Sequence, residues 1–344
     1  MPAVISRYAT TVAAAALVTL LLSPGPAFAD NKIGGGAKGG TQAGGSSTPD
    51  GTISATAGGI AYDRSKNGAG SSVGPLTPVG NWTPPACWYA PKYSPAEFKA
   101  YVEPIWSADS TGSSWDNAQR DRYVNGKPYT NFNLDKADKG YWWDSYADPS
   151  FRPGWDACQK PYFWVDKGAP PPPDIPEAVT PEILGKLAYA EIRVPTTKVT
   201  LKPDGTSKVN LPTWTWLDKS DFHPVSVTAS VAALGISATT TATPVSLKLD
   251  PGTADATLFP ASGECPINAD GSIGTPYEAG SADQAPPCGV TYRRATSGAP
   301  YNLKATVTWK IHWVGTPAGG DDLPEGTFGQ DQQVTVQEIQ AVNR

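Results

Sequence analysis

Apolar and polar residues alternate without a break over YNLKATVTWKIHW, residues 301–313. Tyr301, Leu303, Ala305, Val307, Trp309, Ile311 and Trp313 fall on one side, and Asn302, Lys304, Thr306, Thr308, Lys310 and His312 on the other. Successive side chains of a β-strand point to opposite faces, so this period of two predicts an antiparallel strand with one buried face. The same period runs through VSVTASVAALG from Val225 to Val231, and through VSLKLD at Val245, Leu247 and Leu249. LPTWTWLD places Trp214 and Trp216 on one strand face, and QQVTVQEIQ supplies a last strand. KVTLKPDGTSKVNL predicts a hairpin, because Lys202-Pro203-Asp204-Gly205 is turn-like between two alternating runs. About seven short strands separated by Gly and Pro turns predict a mainly β fold, with an antiparallel β-sandwich over 194–344.

Upstream the pattern changes. SPAEFKAYVEP predicts a short helix with Ser94 as N-cap, Pro95 in the first turn, Glu97 closing a capping box and Pro104 ending it. TPEILGKLAYAEI predicts a second helix, capped by Thr180, with Ile183, Leu184, Leu187 and Ala190 at helical spacing. KGAPPPPDIPE, residues 167–177, predicts an extended polyproline spacer. Residues 81–167 hold eight of the twelve Trp and predict a small irregular aromatic-rich module, mostly turns. Residues 168–193 join it to the sandwich.

Residues 30–80 are rich in Gly, Ser, Thr and Ala and predict a flexible leader, since such a tract cannot bury enough apolar surface to offset its ordering entropy. Two motif matches fall inside it. Gly34-x-Gly36-x-x-Gly39 lacks the strand and helix that a dinucleotide site needs, and Gly70-Ser71-Ser72-Val73-Gly74 lacks the strand-to-helix turn of a nucleophile elbow. Before the leader, Arg7, the apolar stretch Tyr8–Leu22 and Ala27-Phe28-Ala29 form a secretory signal peptide, with cleavage expected after Ala29 by the general secretion route. The expected mature chain begins at Asp30, is secreted, and carries no transmembrane segment.

Export changes the reading of the four cysteines, which outside the cytosol favour two disulfides. Zinc knuckles need a C-x2-4-C spacing, which Cys87, Cys158, Cys265 and Cys288 do not offer. Of the three pairings, Cys87–Cys158 and Cys265–Cys288 are expected, each lying within one compositional block. By loop entropy the short bridge contributes roughly 3 kcal/mol and the long one about 4. The formal charge of -5 and the lack of a Lys/Arg stripe exclude nucleic acid as a partner.

PPCGVTYRRATSGAPYNLKATVTWKIHW resembles the closing strands of a PKD-type (Ig-like) β-sandwich, with Thr291-Tyr292 and Tyr301-Asn302-Leu303-Lys304-Ala305 in the matching places. That piece, LPTWTWLD, the Cys265–Cys288 loop with its GTPY, and Cys87-Trp88-Tyr89-Ala90-Pro91 together resemble a group of actinobacterial exported proteins of unknown function, over about residues 87–330. The chain departs from PKD domains at Leu249-Asp250-Pro251-Gly252-Thr253, where those carry a D-F-G-D-G-like turn. The resemblance implies a fold and export. It implies no activity and no catalytic residues.

Candidate chemistry is sparse. His223 precedes a proline and His312 lies on the polar side of its strand, with no Ser placed near either. Asn268, Asp270 and Gly271 sit as in a calcium loop, but Pro266 and Tyr277 take positions that require oxygen ligands. Asp321-Asp322 read as solvated loop carboxylates. The aromatics are the distinctive feature: Trp115, Trp142 and Trp143 lie in polar settings and are candidate ligand contacts, since Trp and Tyr offer an apolar body with a polar handle. The sequence therefore predicts a non-catalytic exported protein that works by binding or adhesion at the cell envelope, without a cofactor or metal. The expected partners are a cell-wall glycan or an envelope protein. The alternatives are a glycan-binding module using its Trp and Tyr, and a hydrolase with an unrecognised site.

Overall fold

The alternation of residues 301–313 is realised in the longest hairpin among the described residues, Tyr301–Thr316 paired with Gly320–Gln337. Leu303 through Trp313 are buried on the inward face, and Lys304, Lys310 and His312 are exposed on the other. The structure is a computed structural model describing residues 59–68, 73–107, 112–148, 152–218 and 222–339, with backbone alone for 44–47 and 53–57. The expected signal peptide and cleavage site, and the Gly34–Gly39 match, lie outside the described residues.

The fold is mainly β. The hairpin lies towards one end of a ten-stranded sheet, with only the short strand Thr206–Lys208 beyond it along the main order. Ile236–Asp250 flanks it on one side, followed by Val225–Val231 and then Ile60–Asp63. A bulge between Pro244 and Ser246 shifts the inward face of Ile236–Asp250, from Ala238, Thr240 and Ala242 to Leu247 and Leu249. Val245, expected inside, is the residue the bulge turns out to solvent. A five-stranded sheet, built around Pro212–Leu217 and Gly289–Tyr292, forms the second layer. Its inward Leu217, Val290 and Tyr292 share one core with Val307, Trp309 and Leu247.

Three sequence expectations are corrected. The run around Pro203 is not a hairpin. Thr200–Lys202 pairs with Pro212–Leu217 in the small sheet, whereas Thr206–Lys208 runs parallel to the end of Gly320–Gln337 in the large one, so the turn carries the chain between layers. The leader is not free up to residue 80: Ile60–Asp63 joins the large sheet, with Ile60 and Tyr62 buried, and Val73–Pro75 pairs with Arg193–Pro195. The aromatic region is not mostly turns. It holds a three-stranded sheet of Cys87–Tyr93, Gly140–Ala147 and Phe163–Asp166, and a helix Ser113–Tyr123.

The two predicted helices form. Ser94 and Glu97 make the capping box: the Ser94 N–H donates to Glu97 Oε2 at 2.8 Å and the Glu97 N–H to Ser94 Oγ at 3.3 Å. The helix nevertheless runs through Pro104 to Ser107, because its last turn buries Trp106. Thr180 caps Pro181–Ala190 by accepting from the Ile183 N–H at 3.2 Å. That helix covers the inward face of the large sheet. It comes close because Gly185 lies against Trp313, and Thr240 Oγ1 donates to the Gly185 carbonyl at 2.7 Å.

Both expected disulfides are present. Cys265 lies on Glu264–Pro266, which pairs with the large sheet, whereas Cys288 directly precedes Gly289–Tyr292 of the small one. The bridge therefore ties the two layers together. The excursion it closes covers the outer face of the small sheet, with Tyr277 edge-on to Trp214 at 5.9 Å and Pro286 against Gly289. Cys87–Cys158 anchors the aromatic module.

Candidate binding cleft

Trp142 and Trp143 stand side by side on the middle strand of the three-stranded sheet and point to opposite faces. Neither is a ligand contact: they are 0% and 1% exposed. Trp143 packs with Phe163 in the main core, at 5.9 Å between rings. Trp142 fills a second core with Phe98, Tyr123 and Tyr162, and its Nε1 donates to the Phe132 carbonyl at 3.0 Å. A sheet buried on both faces loses the alternation that would have marked its strands. Trp115 is half-buried at the edge of the second core.

The accessible aromatic surface lies instead beside the outer strand, Phe163–Asp166. A cleft of about 390 Å³ runs there, lined by Tyr129, Phe163, Trp164, Pro172 and Ile175. Arg122, Lys160 and Asp174 bring charge to it. The Pro-rich stretch is thus a wall of this cleft rather than a free spacer. It is held in place by hydrogen bonds from the Tyr89 N–H to the Glu177 carbonyl and from the Val179 N–H to the Tyr89 carbonyl, each 2.9 Å.

The frame around the cleft is hydrogen-bonded at each corner. The Tyr129 N–H donates to the Arg122 carbonyl at 3.0 Å, and the Tyr129 hydroxyl accepts from the Trp164 N–H at 3.3 Å. One tyrosine therefore fixes the distance between the helix end carrying Arg122 and the strand carrying Trp164. The indole Nε1 of Trp164 donates to Asp166 Oδ1 at 2.6 Å. Its ring lies over Gly140, where a Cβ would come within 2.6 Å of Cζ2. On the far side the buried Tyr89 hydroxyl accepts from the Lys160 N–H at 2.7 Å, and burial pushes this phenol up to about 12.

Two of the charges are matched. Lys160 Nζ meets Asp174 Oδ2 at 2.6 Å, and this bond holds the Asp174 carboxyl below its usual range. Arg122 makes no ion pair among the described residues, its nearest ring being Tyr123 at 5.7 Å, and its Nε is buried without a hydrogen-bond partner. Burial raises the Tyr123 phenol, and the neighbouring guanidinium opposes that rise.

The other candidates are placed apart from this cleft. His312 Nδ1 lies 2.8 Å from Asp322 Oδ1, and Lys310 Nζ 3.0 Å from Asp322 Oδ2, on the open face of the long hairpin. His223 is exposed ahead of Val225–Val231. Asp270 Oδ1 accepts from Ser272, and Asn268 Nδ2 donates to the Gly274 carbonyl at 2.6 Å; these residues line a shallow pocket of about 410 Å³. Among the described residues no three His, Cys, Asp or Glu side chains converge as metal ligands would. No described helix is long and apolar enough to cross a membrane.

The cleft residues carried a weak sequence signal. Trp164 sits in FWVD beside a Pro-rich run, and Arg122 is one of two arginines in an unremarked polar helix. Nothing in the residue order says that they meet. No family model matches this sequence, and neither a curated protein nor a solved structure matches the chain.

Proposed function

We propose that the protein is an exported binding protein of the cell envelope, in which the disulfide-tied sandwich is the scaffold and the cleft beside Trp164 is the contact surface for a glycan. The observation that supports this most is the joining of an indole and a phenol to three charged side chains in one open cleft with a hydrogen-bonded frame. Sugar rings combine apolar C–H faces with hydroxyls, and that chemistry suits aromatic walls with a few fixed polar groups. A binding role fits the lining better than turnover. Glycosidases of the usual kind use two carboxylates, and here the single lining carboxylate, Asp174, is engaged by Lys160.

The test is retention of the purified protein on sedimented peptidoglycan, chitin and cellulose, compared with Trp164→Ala. We expect retention on at least one polymer and its loss in the variant. Equal retention of a folded Trp164→Ala protein, or passage through all three polymers, overturns the reading.

A further inference from the structure

We infer that the cleft selects an anionic sugar unit, whose carboxylate or phosphate is received by the Arg122 guanidinium while Trp164 and Tyr129 hold the ring. This rests on the glycan reading above and adds the charge of the ligand to it.

The inference comes from charge matching inside one cleft. Lys160 and Asp174 answer each other at 2.6 Å and contribute no net charge. Arg122 is the remaining formal charge among the lining residues, and no carboxylate pairs with it among the described residues. Its Nε is buried without a partner, and the guanidinium otherwise meets only the neutral Tyr123 phenol among the described residues. A partly desolvated cation without a counter-charge carries an energetic deficit that an anion removes, and a guanidinium receives carboxylate and phosphate oxygens through two parallel N–H bonds.

The position of Arg122 is fixed as well. Its carbonyl accepts from the Tyr129 N–H at 3.0 Å, and the Tyr129 hydroxyl accepts from the Trp164 N–H at 3.3 Å. The main chain carrying the cation and that carrying the indole are therefore held at a set separation, which lessens the ordering a ligand must impose. Lys136 lies beside the same ring, its Nζ 5.9 Å from Trp164, but Asp166 answers it at 4.0 Å, so this pair too adds no net charge.

The experiment is calorimetric titration of the purified full chain, and of Arg122→Gln, with three probes of matched length: a hexuronic-acid oligomer, a glycerol-phosphate oligomer and a neutral hexose oligomer. Lys310→Gln, on the open sheet face, is the control, and thermal melts confirm that each variant is folded. We expect one anionic probe to bind more tightly than the neutral one, with an affinity that falls as salt rises. Arg122→Gln should weaken that probe about ten- to hundredfold, the span of a charge-assisted hydrogen bond, and leave the neutral probe unchanged. The carboxylate and phosphate arms tell which anion the cleft prefers. Equal, salt-insensitive binding of neutral and anionic probes overturns this inference and leaves the glycan reading standing. So does anionic binding that survives Arg122→Gln. Binding of none of the three removes the glycan reading itself.

Discussion

Gly185→Ala tests whether the Pro181–Ala190 helix is seated by the absence of a side chain. On helix propensity alone the change stabilises, by about 1 kcal/mol. The packing opposes it. A Cβ at residue 185 would lie 2.8 Å from Trp313 Cγ, 2.9 Å from Cδ2 and 3.1 Å from Cβ. Carbon atoms rest at about 3.5–4.0 Å, so all three contacts are too short. The obstacle is the root of a buried indole, which cannot swing aside. Overpacking of this kind costs about 1–3 kcal/mol. Lifting the helix would also stretch the bond from Thr240 Oγ1 to the Gly185 carbonyl, and leaving that buried hydroxyl unpaired adds about 1–3 kcal/mol. Setting the propensity gain against these terms leaves a loss of about 3 kcal/mol, within a span of about 1–5. The assay is urea denaturation followed by circular dichroism, for Gly185→Ala in the natural chain and in a Trp313→Ala background. We expect a lower midpoint in the first and a higher one in the second, where the two shortest contacts, Cγ and Cδ2, are gone and only the Cβ at 3.1 Å remains. A raised midpoint in the natural chain refutes the packing account. An equal fall in both backgrounds refutes the part assigned to Trp313.

Three further outcomes follow from the same geometry. Gly140→Ala should lower both stability and glycan retention, because its Cβ would collide with the Val165 carbonyl and come within 2.6 Å of the Trp164 ring; retention with unaltered affinity would separate Trp164 from the site. Replacing Cys265 and Cys288 together by Ser should cost about 3 kcal/mol by loop entropy over a separation of 23 residues, read as a shift in chemical denaturation that reductant no longer enlarges. Glu97 should titrate below its ordinary 4.5, because the Ser94 N–H and hydroxyl bond its carboxylate. A lowered pKa stabilises above the unfolded value and the contribution is lost as pH falls through the folded one. The capping box should therefore weaken only in acid, and Ser94→Ala should return the Glu97 midpoint, followed by NMR, towards its ordinary value.

The sandwich was legible because its strands have one wet face. Tyr301–Trp313 and Val225–Val231 write their burial directly into a period of two. The capped helices were equally legible, since Ser94 with Glu97 and Thr180 with Pro181 are local signals. Elements whose partners are distant in sequence were not. Gly140–Ala147 is buried on both faces, so GYWWDSYA shows no alternation and reads as loop. Thr200–Lys202 and Thr206–Lys208 look like two arms of one turn, and only the strands they meet, at 214–216 and 335–337, assign them to different sheets. The cleft was illegible for the same reason. Its members come from a helix end, three loops and an edge strand, and burial removed the role expected of Trp142 and Trp143. The paired indoles looked like a platform because adjacent Trp residues in a polar context suggest exposure, but their neighbours across the sheet bring a core to each side.

That pair has a consequence for how the molecule comes apart. Trp142 belongs to one core and Trp143 to the other, so a single strand is the partition between two interiors. Pulling Gly140–Ala147 away to open one interior strips a wall from its neighbour in the same movement. Heat, denaturant or a protease then meets one cooperative body rather than beads on a string, and the cleft on the outer strand is as durable as the sandwich behind it.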